Sequence, residues 1–274
     1  MKNRSNCSTW NLGGPIFEGN FLKIQTLWDE LAGFPSAEAD TAIMHMLTSL
    51  CYMFDAKNAS WSAVVRLPIT TPGDLLNGWR PCFVSLLHQA PAFADSIKVQ
   101  NEKQWLPEVD ISSIIDAAGE EPFLTKLLSE GLPNEWFEGD YYRRHYLDVG
   151  HADHMSVRCA ITKDVRIHIY IYRDLTSPRF NTEDKEPFAL IVRGLKWFHR
   201  QQLLSHGLLI AETPLTPAEH KVLLDILAGH SEKLIAVSQK HSINTTHAHI
   251  KSIYRKFGVT NRGMLTALWL GNLA

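Results

Sequence analysis

Between Leu215 and Val259 the chain carries helix start and stop signals so closely spaced that three short helices joined by tight turns satisfy them. Thr216 can cap a helix whose first position is Pro217, where the missing N–H costs nothing, and Glu219 completes a capping box with Thr216. Val222, Leu223, Ile226 and Leu227 then form one apolar stripe, until Gly229 offers the left-handed position that ends the helix. Ser231 caps a second, short helix with Leu234, Ile235 and Val237 as its expected buried residues, fading near Lys240 and His241. After a turn, Ser242 caps a third helix. Its Ile250, Ile253, Tyr254 and Phe257 face inward at helical spacing, while His247, Lys251, Arg255 and Lys256 face out. A basic helix held this way fits the major groove of duplex DNA, where base edges show a distinguishable pattern of donors and acceptors.

This grouping resembles the LuxR-type helix-turn-helix, the C-terminal reading head of a large family of bacterial transcription regulators. The residues that carry the resemblance are Leu215, Thr216, Pro217, Glu219, Val222, Leu223, Gly229, Ser231, Lys233, Ile235 and Ala236. They continue as Ser242, Thr245, His249, Ile253, Lys256, Gly258, Val259 and Arg262, without a gap. The resemblance implies base-facing positions at His247, Ala248 and Lys251, with phosphate contacts from Thr245, Arg255 and Lys256. It implies double-stranded DNA as partner, a homodimer on a two-fold site, and contact with RNA polymerase. Met264, Leu265, Leu268 and Leu270 would lie on a fourth helix that pairs across the dimer or packs within the head. A bidentate base contact discriminates by roughly 1–3 kcal/mol, whereas a phosphate contact positions the protein without choosing sequence. Lys251→Ala should therefore relax sequence choice and Lys256→Ala weaken binding uniformly.

The chain departs from the family's pattern at His247, where a lysine is usual, at Gln239 and His241, where apolar residues are usual, and at Leu234, where an acid is common. A neutral histidine offers one donor and one acceptor in place of a fixed charge, which lowers the electrostatic share of binding near neutral pH. A head that has lost DNA affinity and binds a protein partner is the alternative. His249 reads as a packing residue or a local hydrogen-bonding one.

The formal charge of −2 hides a division. From Thr213 to Ala274 seven Lys or Arg stand against three acids, a net +4 that leaves −6 for the rest. A basic nucleic-acid head joined to an acidic domain of another function shows this asymmetry. At 274 residues, 45% hydrophobic and 20% charged, the chain suits two domains, each with its own core. Its apolar runs are short and the start has no apolar leader, so a cytoplasmic protein with no membrane partner is expected. Cys7, Cys51, Cys82 and Cys159 lack the paired spacing of a disulfide framework or zinc site.

The expected architecture is α+β in two domains: residues 1–204 a PAS/GAF-like α/β sandwich with an antiparallel sheet, 205–214 a linker, 215–274 an all-α four-helix head. The sensory part of that resemblance is one of element order alone. A helix from Ser36 to Phe54 precedes a strand at Ala59–Leu67, a turn and loop through Pro72-Gly73-Asp74 and Gly78-Trp79-Arg80, and helices near Ile111–Ala118 and Pro122–Glu130. His154–Thr162 and Val165–Arg173 read as a hairpin, the second member alternating as a half-buried strand. A long helix then runs from a Thr182 cap to about Leu203; signal binding would reposition it and the linker.

Domains of this kind place a small apolar pocket with a few polar anchors beside the sheet, and Trp61, Trp79, Arg80, Tyr170 and Tyr172 are candidate lining residues. Core packing is the competing role for each aromatic. The paired Trp/Tyr and Asp signature of acyl-homoserine lactone sensors finds no place on the chain. The run Asp148–His154, with His145, has metal-ligand residue types but also the composition of an ordinary loop before a strand, so neither metal nor cofactor is expected. No phosphate-binding glycine loop, nucleophile with its base, or receiver-type order of elements is visible. No enzyme is expected.

Overall fold

The computed structural model describes residues 15–67, 73–88, 117–211 and 213–270, with side chains from Phe21 onward. Two helices open it, α1 (Pro15–Gly33) and α2 (Ala39–Phe54), the latter preceded by one 3-10 turn at Ser36–Glu38. The apolar period seen from Ile43 to Phe54 exists because Ile43, Met46, Leu47, Leu50 and Phe54 all face the core. Strands β1 (Asn58–Arg66), β2 (Trp79–Leu86), β3 (Phe123–Leu127), β4 (Asp153–Ala160) and β5 (Val165–Arg173) form an antiparallel sheet in the order β2-β1-β5-β4-β3. A short helix, α3 (Asp140–His145), lies between β3 and β4, and α4 (Thr182–Gly194) and α5 (Lys196–Ser205) follow the sheet.

Cross-strand register divides the sheet into two chemically different faces. Ala59, Trp61 and Ala63 of β1 stand opposite Ile171, Ile169 and Ile167 of β5, which stand opposite Met155, Val157 and Cys159 of β4. All nine belong to one core with Leu27, Leu47, Phe188, Ile191 and Phe198 from the helices. The intervening residues put Asn58, Ser60 and Ser62 beside Tyr172, Tyr170 and His168, and these beside His154, Ser156 and Arg158. The hairpin β4–β5 forms as its alternation predicts. Its second strand is buried on both faces, however, because it is the central strand and the polar face is covered as well.

Four helices make the C-terminal head: α6 (Pro217–Leu227), α7 (Glu232–Ser238), α8 (Ile243–Lys256) and α9 (Arg262–Trp269). Their core is Val222, Leu223, Ile226, Ile235, Ile253, Phe257, Val259 and Leu265, joined by Leu204 from the end of α5. Among the described residues the protein is thus a five-stranded antiparallel sheet domain with helices on one face, plus a helical helix-turn-helix domain. Among the described residues no helix is long and apolar enough to cross a membrane.

Several expectations are corrected. Pro122–Glu130 is no helix: Phe123–Leu127 is edge strand β3, paired with Cys159 to Met155, because strand pairing overrides helical periodicity in so short an apolar run. Trp79 and Arg80 start β2 instead of lying in a loop, since the turn ends at Gly78, whose N–H donates to Asp74. Most of the helix expected near Ile111–Ala118, and Pro72, fall outside the described residues. The long helix from Thr182 is two helices, capped by Asn181, whose side chain accepts from Glu183 N in a capping box with Asp184. It breaks at Leu195, where Trp28 lies across Gly194. Expected linker residues Ser205 and His206 are buried.

The Trp28 ring leaves no room for a side chain at residue 194. A Cβ there would come within 2.2 Å of the indole, which is held by its own hydrogen bond to Ile191 O at 3.2 Å. Gly194→Ala should therefore destabilise the protein by about 1–3 kcal/mol despite the better helix propensity of alanine. Urea unfolding followed by tryptophan fluorescence reads the midpoint, and an unchanged or raised midpoint would contradict this packing.

Candidate nucleic-acid interface

Helix α8 is held from behind and open in front. Ser242 caps it by accepting from Thr245 N at 3.0 Å, while Thr246 and Ile253, both fully buried, press it against the rest of the head. The capping box expected at Thr216 is present: Thr216 N donates to Glu219 Oε2 at 2.8 Å and Glu219 N to Thr216 Oγ1 at 3.3 Å. Gly229 adopts the left-handed φ of 86° that ends α6, and Lys240 takes a φ of 54° to make the tight turn before α8. In α7 the buried residues are Ile235 and Ala236. Leu234 and Val237, expected inside, are exposed because the short helix turns only one edge to the core.

The outer face of α8 carries Thr245, His247, Ala248, Lys251 and Arg255, all exposed. Residues 247, 251 and 255 recur at four-residue steps and so share one side of the helix. His247 Nδ1 meets Glu232 Oε1 at 2.8 Å, a contact from α8 back to the start of α7. Gln239, one of the departures from the family pattern, donates to Asp225 Oδ2 at 2.6 Å and so fastens the end of α7 to α6. His241 and His249 lie with ring centroids 5.4 Å apart, which gives His249 the local packing role expected of it.

Lys256, expected at a phosphate, is engaged by the head itself. Its Nζ points into the head, 2.7 Å from Glu219 Oε2 and 2.8 Å from Pro214 O, with 14% of the side chain exposed. Glu219 also accepts from Ser252 Oγ at 2.7 Å. Burial opposes the charge on Glu219, but the Lys256 ammonium, the Thr216 N–H and the hydroxyls of Ser252 and Thr216 outweigh it and hold the pKa at about 2. The pull of this carboxylate is what turns Lys256 away from the surface. Arg262, which sequence reasoning did not single out for packing, donates to Ile226 O.

Residues 213–268 match the model of a family described as bacterial regulatory proteins, luxR family. The C-terminal segment is a luxR-family helix-turn-helix domain. No curated protein matches the chain by sequence. Among solved structures, SdiA in complex with octanoyl-rac-glycerol covers 93% of this chain and 94% of its own at 13% identity and a TM-score of 0.46. Escherichia coli SdiA covers 90% and 95% at 15% identity and a TM-score of 0.46. The N-acylhomoserine lactone dependent LuxR family factor CepR2 from Burkholderia cenocepacia covers 68% and 98% at 14% identity and a TM-score of 0.47. Below the luxR domain's fourth cap, Asn261, Leu265 fills the domain's own core while Met264 and Leu270 stay exposed.

The five lining candidates in the sheet domain do not share one surface. Tyr170 and Tyr172 stand on the polar face, stacked at 6.1 Å, with Tyr172 OH 3.1 Å from Ser60 Oγ. Trp79 lies beside the same face, its ring 3.5 Å from the Arg166 guanidinium. Trp61 points the other way, fully buried in the helix-side core, where its Nε1 donates to His199 Nδ1 at 3.3 Å. Arg80 makes an ion pair with Asp74 at 3.1 Å. His151 and His154, from the loop with metal-ligand residue types, stack on Tyr172 and Tyr146 at 4.2 and 5.8 Å. These histidines extend the polar face, His154 by its register opposite Tyr172 and His151 by stacking from the loop before β4.

Replacing Lys256 by methionine leaves the Glu219 carboxylate without its counter-charge, held only by Thr216 and Ser252, and should cost the luxR domain about 3–5 kcal/mol at neutral pH. The folded Glu219 pKa lies below its ordinary 4.5, so its contribution is complete above that value and fades as pH falls toward 2. In Lys256→Met the carboxyl protonates more readily, and acid unfolding followed by far-UV circular dichroism should begin at higher pH than in the parent. Identical acid profiles would remove the buried pair from the account.

Proposed function

We propose that the chain is a sequence-specific DNA-binding transcription regulator that binds as a homodimer, with α8 laid in the major groove. The observation that carries this reading is the exposed polar face Thr245, His247, Ala248, Lys251 and Arg255 on a helix braced by a fully buried rear. A helix laid in the major groove brings some side chains to base edges and others to the flanking phosphates. On the resemblance to the luxR-type head, His247, Ala248 and Lys251 read bases, while Thr245 and Arg255 contact backbone. Lys256 acts by bracing α8 from behind. The boundaries 1–204, 205–214 and 215–274 belong to this proposal, with 205–214 a connection packed at its start and not a free tether, as do a cytoplasmic setting and contact with RNA polymerase.

The sheet domain supplies the control. Its polar face, built from Asn58, Ser60, Ser62, His168, Tyr170 and Tyr172, is the place where a small signal molecule finds hydrogen-bonding groups and aromatic rings together. A protein-binding head is the second reading. It draws on the exposed Leu234 and Val237 of α7 and Ile243 at the start of α8, at 49%, 75% and 52% exposure, and on the engagement of His247 by Glu232.

A mobility shift with genomic fragments over a salt series separates the two. A steep loss of binding with salt and a preferred sequence are expected. Lys251→Ala should lose roughly 1–3 kcal/mol of discrimination at one base position, and Arg255→Ala should reduce the salt slope by about one without changing preference. Glu232→Gln, which frees His247 from its carboxylate, should tighten binding. No shift at low salt would leave the protein-partner reading in place.

A further inference from the structure

Three side chains that DNA reading leaves unused meet where the sheet domain joins the head. Asp40 comes from the first turn of α2, His206 follows α5, and His220 lies in α6. One ligand-capable atom from each lies within 4.8 Å of the others. The histidines are buried, at 6% and 8% exposure, whereas the Asp40 side chain is 56% exposed and opens the group to solvent.

Each ring is oriented by a backbone carbonyl. His220 Nδ1 donates to Ser205 O and His206 Nδ1 to Gln202 O, both at 2.9 Å. A carbonyl oxygen only accepts, so each neutral ring keeps its lone pair on Nε2. His220 Nε2 then faces Asp40 Oδ1 at 3.0 Å, an encounter of two acceptors that only a proton or a cation between them reconciles. His206 Nε2 is buried without any hydrogen-bond partner. Burial keeps that ring neutral, with its pKa pushed down to about 4. Phe83, its ring 3.7 Å from that of His206, and Trp61 at 6.5 Å close the inner side with apolar surface. Histidines whose Nδ1–H is tied to a carbonyl and whose Nε2 is left bare beside a carboxylate have the outer hydrogen bonding of metal ligands.

We propose that Asp40, His206 and His220 form a binding site for a divalent transition-metal ion of the Zn2+ class, with solvent completing the coordination. Two imidazole nitrogens and one carboxylate oxygen suit such an ion, and the exposed side at Asp40 gives it entry. The ion takes the place of the proton on His220 Nε2. The two rings, stacked at 4.2 Å and 20°, turn apart about their Nδ1 hydrogen bonds to aim both lone pairs at one centre. Because α2 and α6 lie on opposite sides of the junction, an occupied site fastens the head to the sheet domain and stabilises the joined state.

The whole 274-residue chain, stripped with chelator, is titrated with Zn2+ alone, and thermal stability is recorded in parallel. One ion per chain should bind and raise the melting temperature. Asp40→Asn, at a half-exposed position, should weaken binding at least about tenfold, as should His206→Gln. Co2+ in place of Zn2+ should give visible absorption bands that disappear in Asp40→Asn. Far-UV circular dichroism establishes that the variants are folded, and the surface variant Asp40→Asn keeps the test decisive if His206→Gln is not. Absence of saturable binding, or equal affinity in the parent and Asp40→Asn, would overturn the site.

Discussion

The buried carboxylate of Glu219 is the fastening on which the head depends. Its two oxygens serve the first turn of α6 through Thr216 N, the middle of α8 through Ser252, and the end of α8 through Lys256. A charge so deeply placed is tolerated because each of these donors favours the ionised form. One residue of a capping box therefore also sets how α8 lies across α6. Its side effect is on the surface: drawing Lys256 inward removes a cation from the outer side and leaves Lys251 and Arg255 to present charge. The head gives up one surface cation for an α8 of fixed pitch.

The sheet domain follows a different rule, one of segregation by face. Alternate residues of β1, β4 and β5 send small and branched apolar groups to the helices and hydroxyls, phenols, imidazoles and guanidinium groups to the other side. Burial on both faces is what makes the polar side informative. A sheet face open to water needs no ordered set of rings and hydroxyls, whereas a covered one must satisfy each group internally or through a bound molecule.

The head was legible because each of its turns is made by local chemistry. Thr216, Ser231 and Ser242 bond N–H groups within three residues of themselves, and Gly229 needs only its own backbone freedom, so no distant partner has to be known. The ion pair of Lys256 is hidden for the opposite reason, since its partner Glu219 lies 37 positions away. In the sheet domain the hairpin announced itself by alternation, but β3 did not. Phe123–Leu127 becomes a strand only because β4 offers it an edge. Trp61 and Tyr170 looked alike as large aromatics, and only strand register sends them to opposite faces. The Asp40, His206 and His220 group was invisible because it gathers one residue from each of three distant segments.

Leu204, at the end of α5, packs into the same cluster as Val222 and Ile253, and Leu215 N donates to His206 O at 3.1 Å. The seam between the two halves therefore runs through shared hydrocarbon, not along a free tether. Chimeras that graft this luxR-family domain onto a foreign N-terminal domain must carry the splice upstream of Leu204, or they will inherit an apolar gap where that side chain belongs. Modularity in this protein is a matter of where the cut falls.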